Sequence, residues 1–182
     1  MPDLLYDSNL QDLVLIDGDL RLEPLALKPH PIHRVPTYFL RMTHAITGEE
    51  LRKRHAVYFK EMDEHIRELN KKLRKTVLFV VPAPQAVIAL REKIIAGQAP
   101  GLKMQEDLFT DELGHGTAPL KALVAYCNYA VIYRRSPVGL PVPAILKQAK
   151  LGDNEEKLNR LLQELAWEAV LQHPLSGVGP TR

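Results

Sequence analysis

The chain has 182 residues, is 46% hydrophobic, and carries 24 basic against 22 acidic side chains for a net charge of +2. That length and apolar content suffice for one core of ordinary size, so a single domain is expected over residues 1–182. Basic residues are interleaved with acids, which argues against nucleic acid as a partner, and the lone Cys127 excludes an internal disulfide framework and a cysteine-based zinc site.

The opening residues Met1 to Leu10 lack the basic-then-apolar order of a signal peptide, and no run reaches the ~20 apolar residues of a membrane span. The expectation is a soluble, cytoplasmic chain with no membrane partner. Leu13-Val14-Leu15-Ile16 reads as a buried strand, with Asp17-Gly18-Asp19 as the turn after it. Four prolines between Pro24 and Pro36 remove backbone donors and restrict their predecessors, which predicts an irregular loop over 24–36. Thr47 with Glu50 forms a capping box at the head of a charged helix reaching about Arg74. Leu51, Val57 or Tyr58, Met62, Ile66 and Leu69 give that helix one apolar stripe.

Thr76 to Val81 reads as a second buried strand, stopped by Pro82. A helix over 85–96 follows, with Val87, Ile88, Leu90 and Ile94 inward and Gly97 as its cap. Pro119 sits in the first turn of a further helix to about Tyr133, whose buried side carries Leu120, Leu123, Val124, Cys127 and Val131. A last amphipathic helix spans Asp153 to Gln172, with a loose tail completing the 153–182 region. Strands alternating with helices predict right-handed βαβ units, an α/β class and a largely parallel sheet.

The chemistry is concentrated in Leu108-Phe109-Thr110-Asp111-Glu112-Leu113-Gly114-His115-Gly116-Thr117. A carboxylate and an imidazole a few residues apart on a glycine-bounded loop let the acid orient the ring while the ring takes a proton from a nucleophile or water. Elsewhere His30-x-x-His33 lacks a carboxylate or third ligand nearby in sequence, and His44, His55 and His65 alternate with charges on or near the long helix, so all are expected to be solvated. Trp167 is expected to cover a core edge, and Tyr126, Tyr129 and Tyr133 to pack in the core at helical spacing.

Phe109, Asp111, His115, Ala125-Tyr126, Tyr129-Ala130, Ile132-Tyr133 and Ser136-Pro137-Val138-Gly139-Leu140 together resemble the last block of the SGNH/GDSL-type hydrolases. Leu78 to Leu90 is similar to the strand and helix that precede it. The resemblance implies a three-layer, flavodoxin-like parallel sheet with helices on both faces, incomplete at its N-terminal edge. It gives His115 the role of general base and Asp111 that of orienting carboxylate. Glu112 is the alternative acid, because the family places its acid three positions before the histidine. The Gly-Asp-Ser block that carries the family's serine is absent, so Asp17, Gly18 and Asp19 are assigned only to the lining of a site.

The implied activity is hydrolysis of an ester or an acetyl-carbohydrate, with no metal or organic cofactor. The implied partners are a small-molecule or carbohydrate ester and a second chain that supplies the nucleophile. The alternative is a non-catalytic binding or structural protein that keeps the same fold.

Overall fold

A computed structural model describes residues 14–16, 47–110 and 115–179. Among them strand is confined to two three-residue segments, β1 (Val14–Ile16) and β2 (Leu78–Val80), paired antiparallel with Val14 opposite Val80. Five α-helices follow the first strand and make up most of the described chain: α1 (Gly48–Lys72), α2 (Ala83–Ile95), α3 (Ala118–Tyr133), α4 (Ala144–Gln148) and α5 (Glu155–Gln172). The expectation of a three-layer α/β fold with a parallel, flavodoxin-like sheet is therefore wrong. Parts of the two apolar runs, 14–16 and 78–80, do form strand, but they pair antiparallel with each other. The apolar faces of α2, α3 and α5 bury one another and need no sheet to cover them.

Helix α1 forms where its cap predicts. The Thr47 hydroxyl accepts the Glu50 N–H at 3.2 Å, Glu49 and Glu50 occupy the first turn, and Lys71 and Lys72 the last, each sign matching the end of the helix dipole. Of the two residues that could join the stripe, Tyr58 is buried and Val57 is exposed. Its C-terminus closes with Arg74 in the left-handed region, Lys75 N–H donating to Asn70 C=O and Arg74 N–H to Lys71 C=O. Helix α2 begins two residues before its expected start, behind Pro82, and ends on the same device: Gly97 at φ +67°, Gln98 N–H to Lys93 C=O and Gly97 N–H to Ile94 C=O. Val87, Ile88, Leu90 and Ile94 face inward as the periodicity predicts.

The main core lies among α2, α3, α4 and α5, with Leu90, Leu108, Leu123, Cys127, Leu146, Leu158, Leu162 and Ala166 all fully enclosed. A smaller apolar cluster of Ile66, Val77, Leu78 and Val80 lies between α1 and β2. β2 is closed on the side away from β1 by side-chain and tail groups. Asn70 Oδ1 accepts the N–H groups of Val77 and Leu78 at 2.9 and 3.0 Å, Asn70 Nδ2 donates to Leu78 C=O, and Val80 N–H donates to Leu175 C=O at 2.9 Å. A two-stranded ribbon alone is marginal in water, so these contacts and α1 supply what a wider sheet would otherwise provide.

The last long helix begins at Glu155, after a 3₁₀ turn over Gly152–Asn154, and Leu158, Leu162 and Leu165 form its buried stripe with Leu161 and Ala169 at the margin. Trp167 is partly buried against the main core, as expected of an edge residue. His55 departs from expectation. It is 7% exposed and stacks on Phe59 with ring centroids 5.7 Å apart, because its place four residues after Leu51 puts it on the buried face of α1.

Candidate functional site

The His115 loop is pinned at its base. A 3₁₀ turn at Gln105–Leu108 is tied by the Asp107 carboxylate, whose Oδ2 accepts the N–H groups of Lys103 and Met104 at 2.7 and 3.0 Å. The chain then leaves and returns as an antiparallel rung between Phe109 and Gly116, flanked by Thr110 N–H to His115 C=O at 2.7 Å and Thr117 N–H to Leu108 C=O at 2.9 Å. The Thr110 hydroxyl also donates to the His115 carbonyl, at 3.2 Å, and the Thr117 hydroxyl donates to Asp107 C=O at 2.8 Å. Thr117 is the residue before α3, so the loop returns directly into a helix that is anchored in the core. The backbone of His115 is thus fixed, and its side chain is exposed.

Beneath the loop lies a charge that sequence reasoning overlooked. Arg91 on α2 is 1% exposed, and its Nε donates to the side-chain oxygen of Gln105 in the 3₁₀ turn. Burial pulls the guanidinium below its usual value, and the neighbouring Glu106 opposes that shift. An arginine so placed ties the turn to α2. Its sequence signal was its position four residues after Val87 and next to Leu90, on the apolar face.

Asp111 and Glu112, the two acids considered for His115, lie outside the described residues, as do Asp17, Gly18 and Asp19. The two described serines are engaged elsewhere. Ser136 Oγ accepts the Val138 N–H at 3.2 Å in an exposed turn, and Ser176 is 2% exposed with its hydroxyl bonded to Val178. Cys127 is no substitute nucleophile, since it is enclosed between helices and burial pushes its thiol up to about 12. Among the described residues no cluster of three or more His, Cys, Asp or Glu side chains could hold a metal ion, and no helix is long and apolar enough to cross a membrane.

The Ser136–Leu140 run, which carried part of the family resemblance, has a structural task. Gln163 on α5 accepts the Gly139 N–H at 3.0 Å and donates to Leu140 C=O at 2.8 Å. Asn159, one turn earlier, donates to the same carbonyl at 3.4 Å, and the Tyr126 hydroxyl donates to Asn159 Oδ1 at 2.5 Å. Burial raises the Tyr126 hydroxyl pKa, with the Gln163 hydrogen bond opposing. This buried network joins α3, α5 and the connection between them. Tyr126 is thus in the core as expected, whereas Tyr133 is exposed and its ring lies tilted against that of Tyr129, with centroids 4.9 Å apart.

The described cavity lies elsewhere, a groove of about 690 Å³ among α1, α2 and α5. Several of its charges are paired within the protein. Arg52 binds Glu92 through both nitrogens of its fork, Nη2 to Oε2 being 2.7 Å, and that bond raises the Arg52 pKa. Asp63 faces both Arg67, at 3.2 Å, and His173, at 3.4 Å. His115 does not line it. Comparison of the chain with protein-family models, with curated proteins and with solved structures finds no match in any of the three.

Proposed function

We propose that this chain carries the proton-transfer half of an ester or acetyl-carbohydrate hydrolase site, with His115 as the base and Asp111 as its orienting acid. The observation that supports this reading most is the anchoring of the His115 backbone. The Phe109–Gly116 rung and the Thr110–His115 hydrogen bond present an exposed imidazole from a fixed base, and two residues after His115 the chain turns into α3. Asp111 follows Thr110 directly in sequence, and the run from Phe109 to Leu140 resembles the corresponding block of SGNH/GDSL-type hydrolases. A positioned base contributes typically ~10²–10⁴-fold to such a reaction by removing the proton of the attacking hydroxyl and returning it to the departing alkoxide.

The attacking hydroxyl belongs, in this reading, to water or to a serine of a second polypeptide. Purified chain is tested on p-nitrophenyl acetate and on acetylated sugars beside His115→Ala. Any exposed imidazole attacks the activated p-nitrophenyl ester slowly, so the sugar ester is the discriminating substrate. Saturable hydrolysis that disappears in the variant supports the proposal, and equal traces in both proteins overturn it for the isolated chain. Co-purification of a serine-bearing chain that restores hydrolysis identifies the two-chain form.

A second reading, a non-catalytic binding protein, is favoured by the groove. Gln85 lines it, and the buried Oε1 of that side chain has no hydrogen-bond donor among the described residues. Binding of an acetylated sugar without turnover, unaffected by His115→Ala, is the result expected from that reading.

A further inference from the structure

The segment after α5 returns along β2 and is held there at one histidine. His173 caps α5, with its side chain only 8% exposed. Its Nδ1 accepts the Leu175 N–H at 3.2 Å, and Leu175 C=O in turn accepts the Val80 N–H at 2.9 Å. In a neutral imidazole an accepting Nδ1 leaves the proton on Nε2, which faces Asp63 Oδ1 at 3.4 Å. The rest of the segment fits closely. Leu175 packs on the Ile66–Val77–Leu78–Val80 cluster, Ser176 is 2% exposed, and Gly177, at φ +73°, lies so near Phe79 that a Cβ there would be 2.5 Å from Cδ1 of the ring.

We propose that His173 is an acid-sensitive latch that holds residues 173–178 against the edge of β2 when neutral and lets them go when protonated. Protonation places a hydrogen on Nδ1, which then opposes the Leu175 N–H and removes the acceptor that orients it. The tie between Leu175 and Val80 follows from that orientation, so its loss frees the Val80 N–H, while Asn70 keeps its bonds to Val77 and Leu78.

The charges around His173 come from three helices. Burial disfavours the protonated ring and pulls the imidazole pKa below its usual value, with Asp63 on α1 opposing that shift and Arg67 on α1 adding to it. Arg52 and Lys60 on α1, Glu92 and Lys93 on α2, and Glu168 on α5 line the same groove, with Arg52 and Glu92 bound to each other. A depressed folded-state pKa means that the latch is fully closed above the ordinary histidine value and weakens as pH falls through the window below it.

Amide hydrogen exchange of the full chain, corrected for intrinsic rates at pH 7.5 and 5.5, tests this. Protection of the Val80 and Leu175 amides is expected to fall up to about tenfold at the lower pH, one unit below the unperturbed histidine value, while Leu162 in α5 keeps its protection. His173→Asn supplies a side-chain oxygen able to accept an N–H two residues on and does not titrate, so its protection is expected to be equal at both values. His173→Ala is expected to lose protection at both. The latch is refuted by pH-independent protection in the wild type, by an Asn variant that opens in acid as the wild type does, or by an Ala variant that stays closed at pH 7.5.

Discussion

Replacing Gln163 with leucine removes the amide that clamps the Gly139–Leu140 turn to α5 while leaving a side chain of similar bulk. Gln163 is 1% exposed and makes two short bonds to that turn, 2.8 and 3.0 Å, with a longer one of 3.4 Å to the Tyr126 hydroxyl. Each short bond contributes about 0.5–1.5 kcal/mol net, so the variant is expected to lose about 1–3 kcal/mol, with little added for a cavity. Urea denaturation followed by circular dichroism measures the loss, and the accompanying fall in Tm is expected to be about 2–12 °C. Asn159→Leu alone and the double variant complete a cycle. Both side chains serve the Leu140 carbonyl and Tyr126, so their effects are expected to be coupled by at least about 0.5 kcal/mol. A Tm within 1–2 °C (about 0.5 kcal/mol) of wild type, or strictly additive losses, refutes the view that this polar network holds α3, α5 and their connection together.

Other perturbations test separate parts of the structure. Arg91→Met removes the buried charged donor to Gln105. A loss of about 1.5–3 kcal/mol is expected, and faster amide exchange in 105–110 than in α3 is the specific sign of a loosened loop base. Cys127 should resist a thiol reagent in the native protein and react at once on unfolding. Burial pushes its folded pKa up to about 12, above the ordinary thiol value of 9.0, so its contribution is complete below pH 9 and is lost as pH rises. The expected loss is about 1.4 kcal/mol by pH 10, which Cys127→Ala should abolish, and an unchanged alkaline stability slope in that variant contradicts the assignment.

The helices were legible because their signals are local. The Thr47 cap, the prolines at 82 and 119, Gly97 and the apolar periodicities of α1, α2 and α5 each act within one or two turns. The architecture was not, because apolar runs at 13–16 and 76–81 are compatible with parallel or antiparallel pairing, and pairing depends on where a 25-residue helix between them turns. Polar residues on buried faces were missed for a related reason. Arg91, Asn159 and Gln163 break the hydrophobic pattern of their helices, and only the partner that each meets across the core, Gln105, Tyr126 or Leu140, explains its presence. His55 was misplaced because its charged neighbours suggested solvent, while its spacing from Leu51 puts it inward. Of the proposed site, His115 was found in the sequence and is exposed on an anchored loop, and its acids Asp111 and Glu112 fall outside the described residues.

The most direct test of the proposed chemistry is acetate release from an acetylated oligosaccharide, followed by proton NMR with the wild-type chain and with His115→Ala at matched fold. The proposal predicts release above buffer in the wild type and at least about 100-fold less in the variant. Equal rates in the two proteins, with or without an added serine-bearing chain, contradict it.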